Sequence, residues 1–314
     1  MTKSFLALSG GGDRGCVLIG MLTELYHMKG ESVIQWEEVA GISAGALVGS
    51  LVAQTDNKNF DDKVKEAKSI FLAGGFHVVE NWVWGGQIIN LLDALLYHES
   101  VFQNAPMKQL IQDNFKKENL KRKIHVGAYN KTICKYESFD SAHEKFEQAI
   151  MASASVPVVL PSVEINGSRY EDGGMRHLIP VIEIENWVKK TIGPKHVDIM
   201  VCFPINNVEA FIRMTTPETN YPLLNQACRS MSDIMLQQMV NDLQTVAKLC
   251  GVKTEELMKS NCNEFTNGDL TIRLLSPSDG TYSSFIHMNP KSSMSMFESG
   301  ARAVREYLTP KLKY

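Results

Sequence analysis

The sequence has no CxxC pair, no dense run of Lys and Arg, no internal repeat or low-complexity tract, and no apolar stretch long enough to span a membrane. Each absence removes a class of protein. The six cysteines (Cys16, Cys134, Cys202, Cys228, Cys250 and Cys262) are scattered, mostly among apolar or helical neighbours. That usage fits small buried hydrophobes in a reducing compartment, and neither a disulfide framework nor a metal site is expected. Without a basic stripe, a nucleic-acid polymer is not the expected partner, because phosphate-backbone binding depends on clustered Lys and Arg. The longest apolar stretch, around residues 88–97, is interrupted by Asn90 and Asp93. It falls short of the roughly 20 residues that a spanning helix needs. The amino terminus offers only Phe5-Leu6-Ala7-Leu8 before a glycine run, too little for a signal peptide, and reads as a first strand. The expectation is a cytoplasmic protein that touches a membrane, if at all, from outside.

What remains is an ordinary globular composition. The 314 residues are 44% hydrophobic and 21% charged, with 32 Lys and Arg against 35 Asp and Glu and a formal net charge of −3. Disorder, collagen and coiled coil are excluded, and a chain of this length buries a large core without covalent staples.

Apolar residues 5–8 run into Gly10-Gly11-Gly12, after which Cys16, Val17, Ile19, Leu22, Leu25 and Tyr26 recur at helical spacing. Residues 33–40 fit a second strand, and Gly41-Ile-Ser43-Ala-Gly45 turns sharply into a helix of small apolar residues. Two strand–turn–helix units in succession imply a parallel sheet, hence an α/β fold. Further helices are expected over 61–72, 88–97, 106–115, 143–153, 223–249 and 293–308, and strands over 124–129, 135–139, 197–203 and 270–275. No linker marks a domain boundary.

Three glycine-rich sites carry chemistry. Gly41-Ile-Ser43-Ala-Gly45 fits the G-x-S-x-G elbow, in which a serine at the tip of a strained turn is flanked by glycines because side chains there would strike the neighbouring strand and helix. The helix that follows adds N-terminal amides and a dipole favouring developing negative charge. Gly10-Gly11-Gly12-Asp13-Arg14-Gly15 is no P-loop, since Cys16 and Val17 stand where Lys and Ser or Thr must act. Three readings stay open: an oxyanion hole of glycine amides one strand away from Ser43, a dinucleotide turn with Glu37 or Glu38 downstream, or a plain turn. The third site is Asp172-Gly173-Gly174. Taken alone, Asp172 reads as a turn residue, and it acts as a base only if held within hydrogen-bond reach of Ser43. The eight histidines are dispersed, with no loop signature of a triad.

Together, the 10–15 loop, the 41–45 elbow and Asp172-Gly-Gly174, preceded by Ala152-Ser-Ala-Ser-Val-Pro157-Val-Val-Leu-Pro161, resemble the patatin-like phospholipase family of the bacterial, single-domain type. The resemblance covers about residues 4–204. It implies a three-layer α/β fold with a central, mostly parallel sheet flanked by helices, and hydrolysis of acyl esters of lipids by a Ser-Asp dyad without metal or cofactor. Carried over, Ser43 is the nucleophile, Asp172 the base, and Gly11 and Gly12 the oxyanion amides, with Gly10, Asp13, Arg14, Gly15, Gly41, Gly45, Gly173 and Gly174 completing the motifs. Arg14 either stabilises its loop or faces a phosphate. Where relatives carry Asn-Asn-Pro after the aspartate motif, this chain has Leu178-Ile179-Pro180, so local support differs there.

The whole chain, 1–314, is expected as one such domain, with a catalytic core of about 4–204 and a C-terminal helical extension of about 207–314 whose role stays open. A phospholipid or other acyl lipid is the expected substrate, met by peripheral membrane contact. The segment 74–97, with Trp82 and Trp84, is a candidate lid or interfacial surface, or else an ordinary helix and loop. Rival readings are a soluble non-lipid esterase, a membrane-degrading effector switched on by a small-molecule or protein activator, and a dinucleotide-binding module.

Overall fold

The computed structural model describes residues 2–30, 35–56, 58–72, 80–81, 100, 102–207, 222–278 and 290–309. Of the candidate lid over 74–97 only residues 80 and 81 are among them; Trp82, Trp84 and the helix read over 88–97 lie outside.

Strand β1 (Lys3–Leu8) is central because nothing over its residues 5–8 demands water, and these are completely buried. It pairs in parallel with β2 (Glu38–Gly41) on one side and β9 (Lys195–Met200) on the other. Strand β11 (Leu270–Leu275) adds to β9 and β5 (Lys123–Asn130) to β2, both also parallel. Antiparallel strands β10 (Cys262–Asn267), β6 (Lys135–Asp140), β7 (Val163–Ile165) and β8 (Ser168–Asp172) complete the sheet, whose order is β10-β11-β9-β1-β2-β5-β8-β7 with β6 also paired to β5. A separate short ladder joins β3 (Glu80–Asn81) to β4 (Phe102–Gln103). The sheet is therefore mostly parallel at its centre and antiparallel at its edges.

Helices cover both faces, as strand periodicity makes plain. Phe5 and Leu8 point to opposite sides of β1. Phe5 stacks on Trp187 of α6 (Val181–Lys190), with ring centroids 5.2 Å apart, and α6 in turn meets α7 (Pro222–Cys250). The Leu8 side meets α2 (Ala44–Val52) where Gly49 lets it approach, and α2 packs with α1 (Gly15–Lys29) and α3 (Phe60–Leu72). Helices α4 (Ala105–Asn114) and α5 (Phe146–Ser153) pack together around a second apolar cluster containing Phe115, Phe146 and Ile150. The helix expected from 143 begins at Phe146, because the Lys145 and His143 backbones are taken up in a turn after β6.

The segment after 207 is more than a helical extension. Its α7 and the short α8 (Thr254–Leu257) are followed by the β10–β11 hairpin, and β11 lies in the central sheet. Its last helix, α9 (Pro290–Leu308), crosses α1 in backbone contact. A Cβ on Gly20 would lie 2.1 Å from the Phe297 carbonyl oxygen, and one on Gly300 would lie 2.1 Å from that of Val17. Gly300→Ala is therefore expected to destabilise the protein by about 3 kcal/mol, since neither backbone can yield without parting the helices. An unchanged urea midpoint would contradict this.

Of the cysteines, Cys16, Cys202 and Cys250 are buried free thiols and Cys262 is partly buried, whereas Cys134, at the tip of the β5–β6 hairpin, is exposed. Among the described residues no helix is long and apolar enough to cross a membrane.

Candidate active site

The sequence-singled loops meet at the carboxyl ends of β1 and β2, the edge where open parallel sheets place their sites. Ser43 takes φ 55° and ψ −123°, a left-handed conformation that costs a non-glycine residue energy and is held only when its surroundings over-determine it. The surroundings here are backbone. A Cβ on Gly41 would lie 2.1 Å from the Gly45 carbonyl oxygen, and one on Gly45 would lie 2.3 Å from that of Leu8, so the elbow closes only with glycine at both places. The Ser43 N–H donates to the Ser153 hydroxyl at 3.0 Å, and Ser43 itself caps α2, whose dipole points its positive end at the serine.

The three glycines after β1 divide their duties. The Gly10 N–H donates to the Leu178 carbonyl at 2.8 Å, and the Gly11 carbonyl accepts from the Arg14 N–H. Among the described residues the N–H groups of Gly11 and Gly12 have no partner, leaving two adjacent donors beside the elbow. Asp13 and Arg14 are buried, 4.0 Å apart, and the Arg14 guanidinium also reaches the Gly11 carbonyl at 3.4 Å. The Arg14 guanidinium thus braces the loop from within, and Gly15 opens α1.

Asp172 reaches this edge by strand geometry. The first half of β5 pairs with β2, ending at Gly41 opposite Val126. The second half pairs with β8, placing Asp172 opposite Ala128. Where β2 leaves the sheet at the elbow, β8 takes its place beside β5, and the aspartate that ends β8 arrives next to the serine. The Asp172 N–H is tied to the Ser155 carbonyl at 2.9 Å, and its Oδ1 accepts the Gly174 N–H at 2.7 Å across the turn that begins at Gly173. Among the described residues its buried Oδ2 has no hydrogen-bond partner. Burial pushes the carboxyl up to about 7, against the opposing pull of the Ser43 hydroxyl and the Gly174 N–H. A carboxylate normally ionised at neutral pH is thereby made a usable base.

No histidine among the described residues hydrogen-bonds Ser43. His177 instead pairs with Asp242 through Nδ1 at 2.7 Å, and the edge of Tyr136 packs against its ring. The Tyr136 hydroxyl donates to the buried Glu183 at 3.0 Å, so a partly buried polar group stands behind the aspartate turn. Among the described residues no cluster of His, Cys, Asp or Glu is arranged to hold a metal.

Two supporting residues were not singled out by the sequence. Ser153 lies inside the 152–161 run, yet nothing local reveals that its hydroxyl serves a backbone 110 residues away. Asp242 interrupts the buried face of α7 among Met235, Met239, Leu243 and Val246, and an acidic residue in such an apolar stripe is the signal that could have found it.

A family model described as patatin-like phospholipase matches residues 6–184. Among solved structures, VipD from Legionella pneumophila is similar at 13% identity and a TM-score of 0.41, covering 98% of this chain and 67% of that one. The heterodimeric ExoU–SpcU complex from the type III secretion system of Pseudomonas aeruginosa is similar at 14% identity and a TM-score of 0.38, covering 82% and 58%. Human GIVD cytosolic phospholipase A2, in complex with methyl gamma-linolenyl fluorophosphonate, is similar at 8% identity and a TM-score of 0.39, covering 98% and 60%. The chain thus spans 58% to 67% of the length of these three. No curated protein matches the sequence.

Proposed function

The chain belongs to the patatin-like phospholipase family, and on that premise we propose that it is a lipid acyl hydrolase working through a Ser43–Asp172 dyad. The observation that carries the reading is the Asp172 carboxyl beside the Ser43 hydroxyl of the strained elbow: it is buried, its pKa is raised to about 7, and its Oδ2 has no hydrogen-bond partner among the described residues. Asp172 Oδ2 accepts the Ser43 proton as Oγ attacks the ester carbonyl carbon. The carbonyl oxygen gathers charge, and the Gly11 and Gly12 N–H groups stabilise it. As the tetrahedral intermediate collapses, the carbon–oxygen bond to the leaving alcohol breaks and Asp172 returns its proton to that oxygen. A water then gives a proton to Asp172 and attacks the acyl-serine, and the fatty acid departs as Ser43 recovers its hydrogen.

The substrate in this reading is a phospholipid or another acyl lipid, met by peripheral contact with a bilayer from the cytoplasm, and neither metal nor cofactor takes part. The test is fatty-acid release by wild type, Ser43→Ala and Asp172→Asn from phosphatidylcholine vesicles, a triacylglycerol emulsion and a short-chain soluble ester. Release from the lipids by wild type and by neither variant is expected. Full activity in either variant would end the dyad, and turnover of the short-chain ester alone would replace the lipid substrate with a soluble one. Lipid turnover by wild type only after a partner or small molecule is added would mark an activated enzyme.

A further inference from the structure

The carboxylate of Asp242 makes three contacts on three consecutive residues. Its Oδ2 accepts the N–H groups of Leu178 at 2.6 Å and Ile179 at 2.9 Å, and its Oδ1 pairs with His177 Nδ1 at 2.7 Å. These residues immediately follow the turn of Asp172-Gly173-Gly174, and the His177 and Arg176 N–H groups close that turn on the Gly173 carbonyl. The other face of the Leu178 peptide completes the link, because its carbonyl accepts the Gly10 N–H at 2.8 Å. One peptide group thus joins α7, the aspartate turn and the glycine loop. Met235, two turns earlier on α7, lies against the same turn at Gly174, and the Leu178 side chain fills the space beside Gly10 and Gly174.

We propose that Asp242 is a positioning residue for hydrolysis. From the C-terminal helix it fixes the 177–179 backbone, and through Leu178 it sets the Gly11 and Gly12 amides and Asp172 in register with Ser43. The proposal rests on the dyad reading. It gives the segment after 207 a part in the active site and supplies the support that Leu178-Ile179, lacking side-chain amides, cannot provide for themselves. Two N–H groups buried beside an apolar helix need an acceptor, and Asp242 is the residue that brings one.

A positioning role separates kcat from KM, and it is met in full by the charged acceptor and only in part by a neutral one, whose hydrogen bonds are weaker. Asp242→Leu, which removes the acceptor at similar volume, is expected to lower kcat by about 100-fold with KM changed little, the size of effect that a displaced catalytic geometry produces. Asp242→Asn, which keeps an oxygen for Leu178 and Ile179, is expected to recover kcat to within about tenfold of wild type. The rate of covalent labelling of Ser43 by an alkyl fluorophosphonate should fall in the same order, since labelling uses the same nucleophile and amides. A folded Asp242→Leu protein with wild-type kcat overturns the proposal. Should Asp242→Leu not fold, Asp242→Asn decides: a drop in kcat of about three- to tenfold at constant melting temperature and KM supports it, and unchanged kcat and labelling overturn it. Failure of the dyad reading looks different, because Ser43→Ala would then keep its activity whatever happens at position 242.

Discussion

Asp172→Asn is expected to yield a protein more stable than wild type at pH 8 and nearly without activity. The loss follows if Asp172 is the proposed base of Ser43, and it should reach about 10⁴-fold in kcat or more, as for support residues in other serine hydrolases. The gain follows from proton linkage. The Asp172 carboxyl is raised by burial to about 7 from its ordinary value of 3.8, so the folded protein holds a proton that the unfolded chain releases. Between these values folding becomes less favourable as pH rises, and above about 7 the full penalty is present, roughly 4 kcal/mol. Below 3.8 it is absent. Asparagine carries no charge to desolvate, its oxygen can keep the Gly174 N–H, and its amide faces the position where Oδ2 has no partner. The melting temperature of Asp172→Asn should therefore exceed that of wild type by on the order of 5–10 °C at pH 8. The difference should shrink towards zero near pH 4. A variant less stable than wild type at pH 8 would show that Asp172 is not held at a cost.

The candidate site was legible in the sequence only where its constraints are local. The elbow was legible because its constraint is local: a serine at φ 55° between two backbone approaches of 2.1 and 2.3 Å admits only glycine at Gly41 and Gly45, and those glycines are visible in five residues. The 10–15 loop was less so, because a glycine run serves a turn, a phosphate or an oxyanion equally well. What distinguishes them is which amides are left unbonded, and that depends on Leu178 taking the Gly10 N–H from far along the chain. Asp172 alone could not be told from a turn. Its role comes from β5 exchanging β2 for β8 as a partner, a pairing that no periodicity encodes.

The fold followed the same division. Strand β1 was readable from its unbroken apolar run over 5–8, and α7 and β11 from the spacing of their apolar residues. Strand β10, Cys-Asn-Glu-Phe-Thr-Asn, was not, since an edge strand of alternating half-exposed polar residues resembles a loop. The β7 strand is too short to show a period. Ser153 was invisible for a further reason, and Asp242 showed only as an acidic residue in an apolar stripe: both serve backbone N–H groups, and backbone donors leave no mark in a sequence.

The second large effect expected is on the pH profile. Hydrolysis by the dyad needs Asp172 ionised before Ser43 can surrender its proton, so kcat/KM should rise with pH along an acid limb centred at about 7 and level off above it. At pH 5 about one enzyme molecule in a hundred has the base ionised, and kcat/KM should be lower by about 100-fold. A histidine base would give a limb in the same place, so position alone does not identify the group. Two measurements separate them. His177→Gln should leave the limb where it is, because His177 is engaged with Asp242 and makes no bond to Ser43. Warming should also leave it in place, because a carboxyl ionises with little heat whereas an imidazolium takes up much more. Salt should move it little as well, since burial and not a neighbouring charge is the main cause of the shift. A limb near 4, the ordinary range of an aspartate, would mean that Asp172 is ionised throughout and that the desolvation on which its basicity depends is absent from the working enzyme.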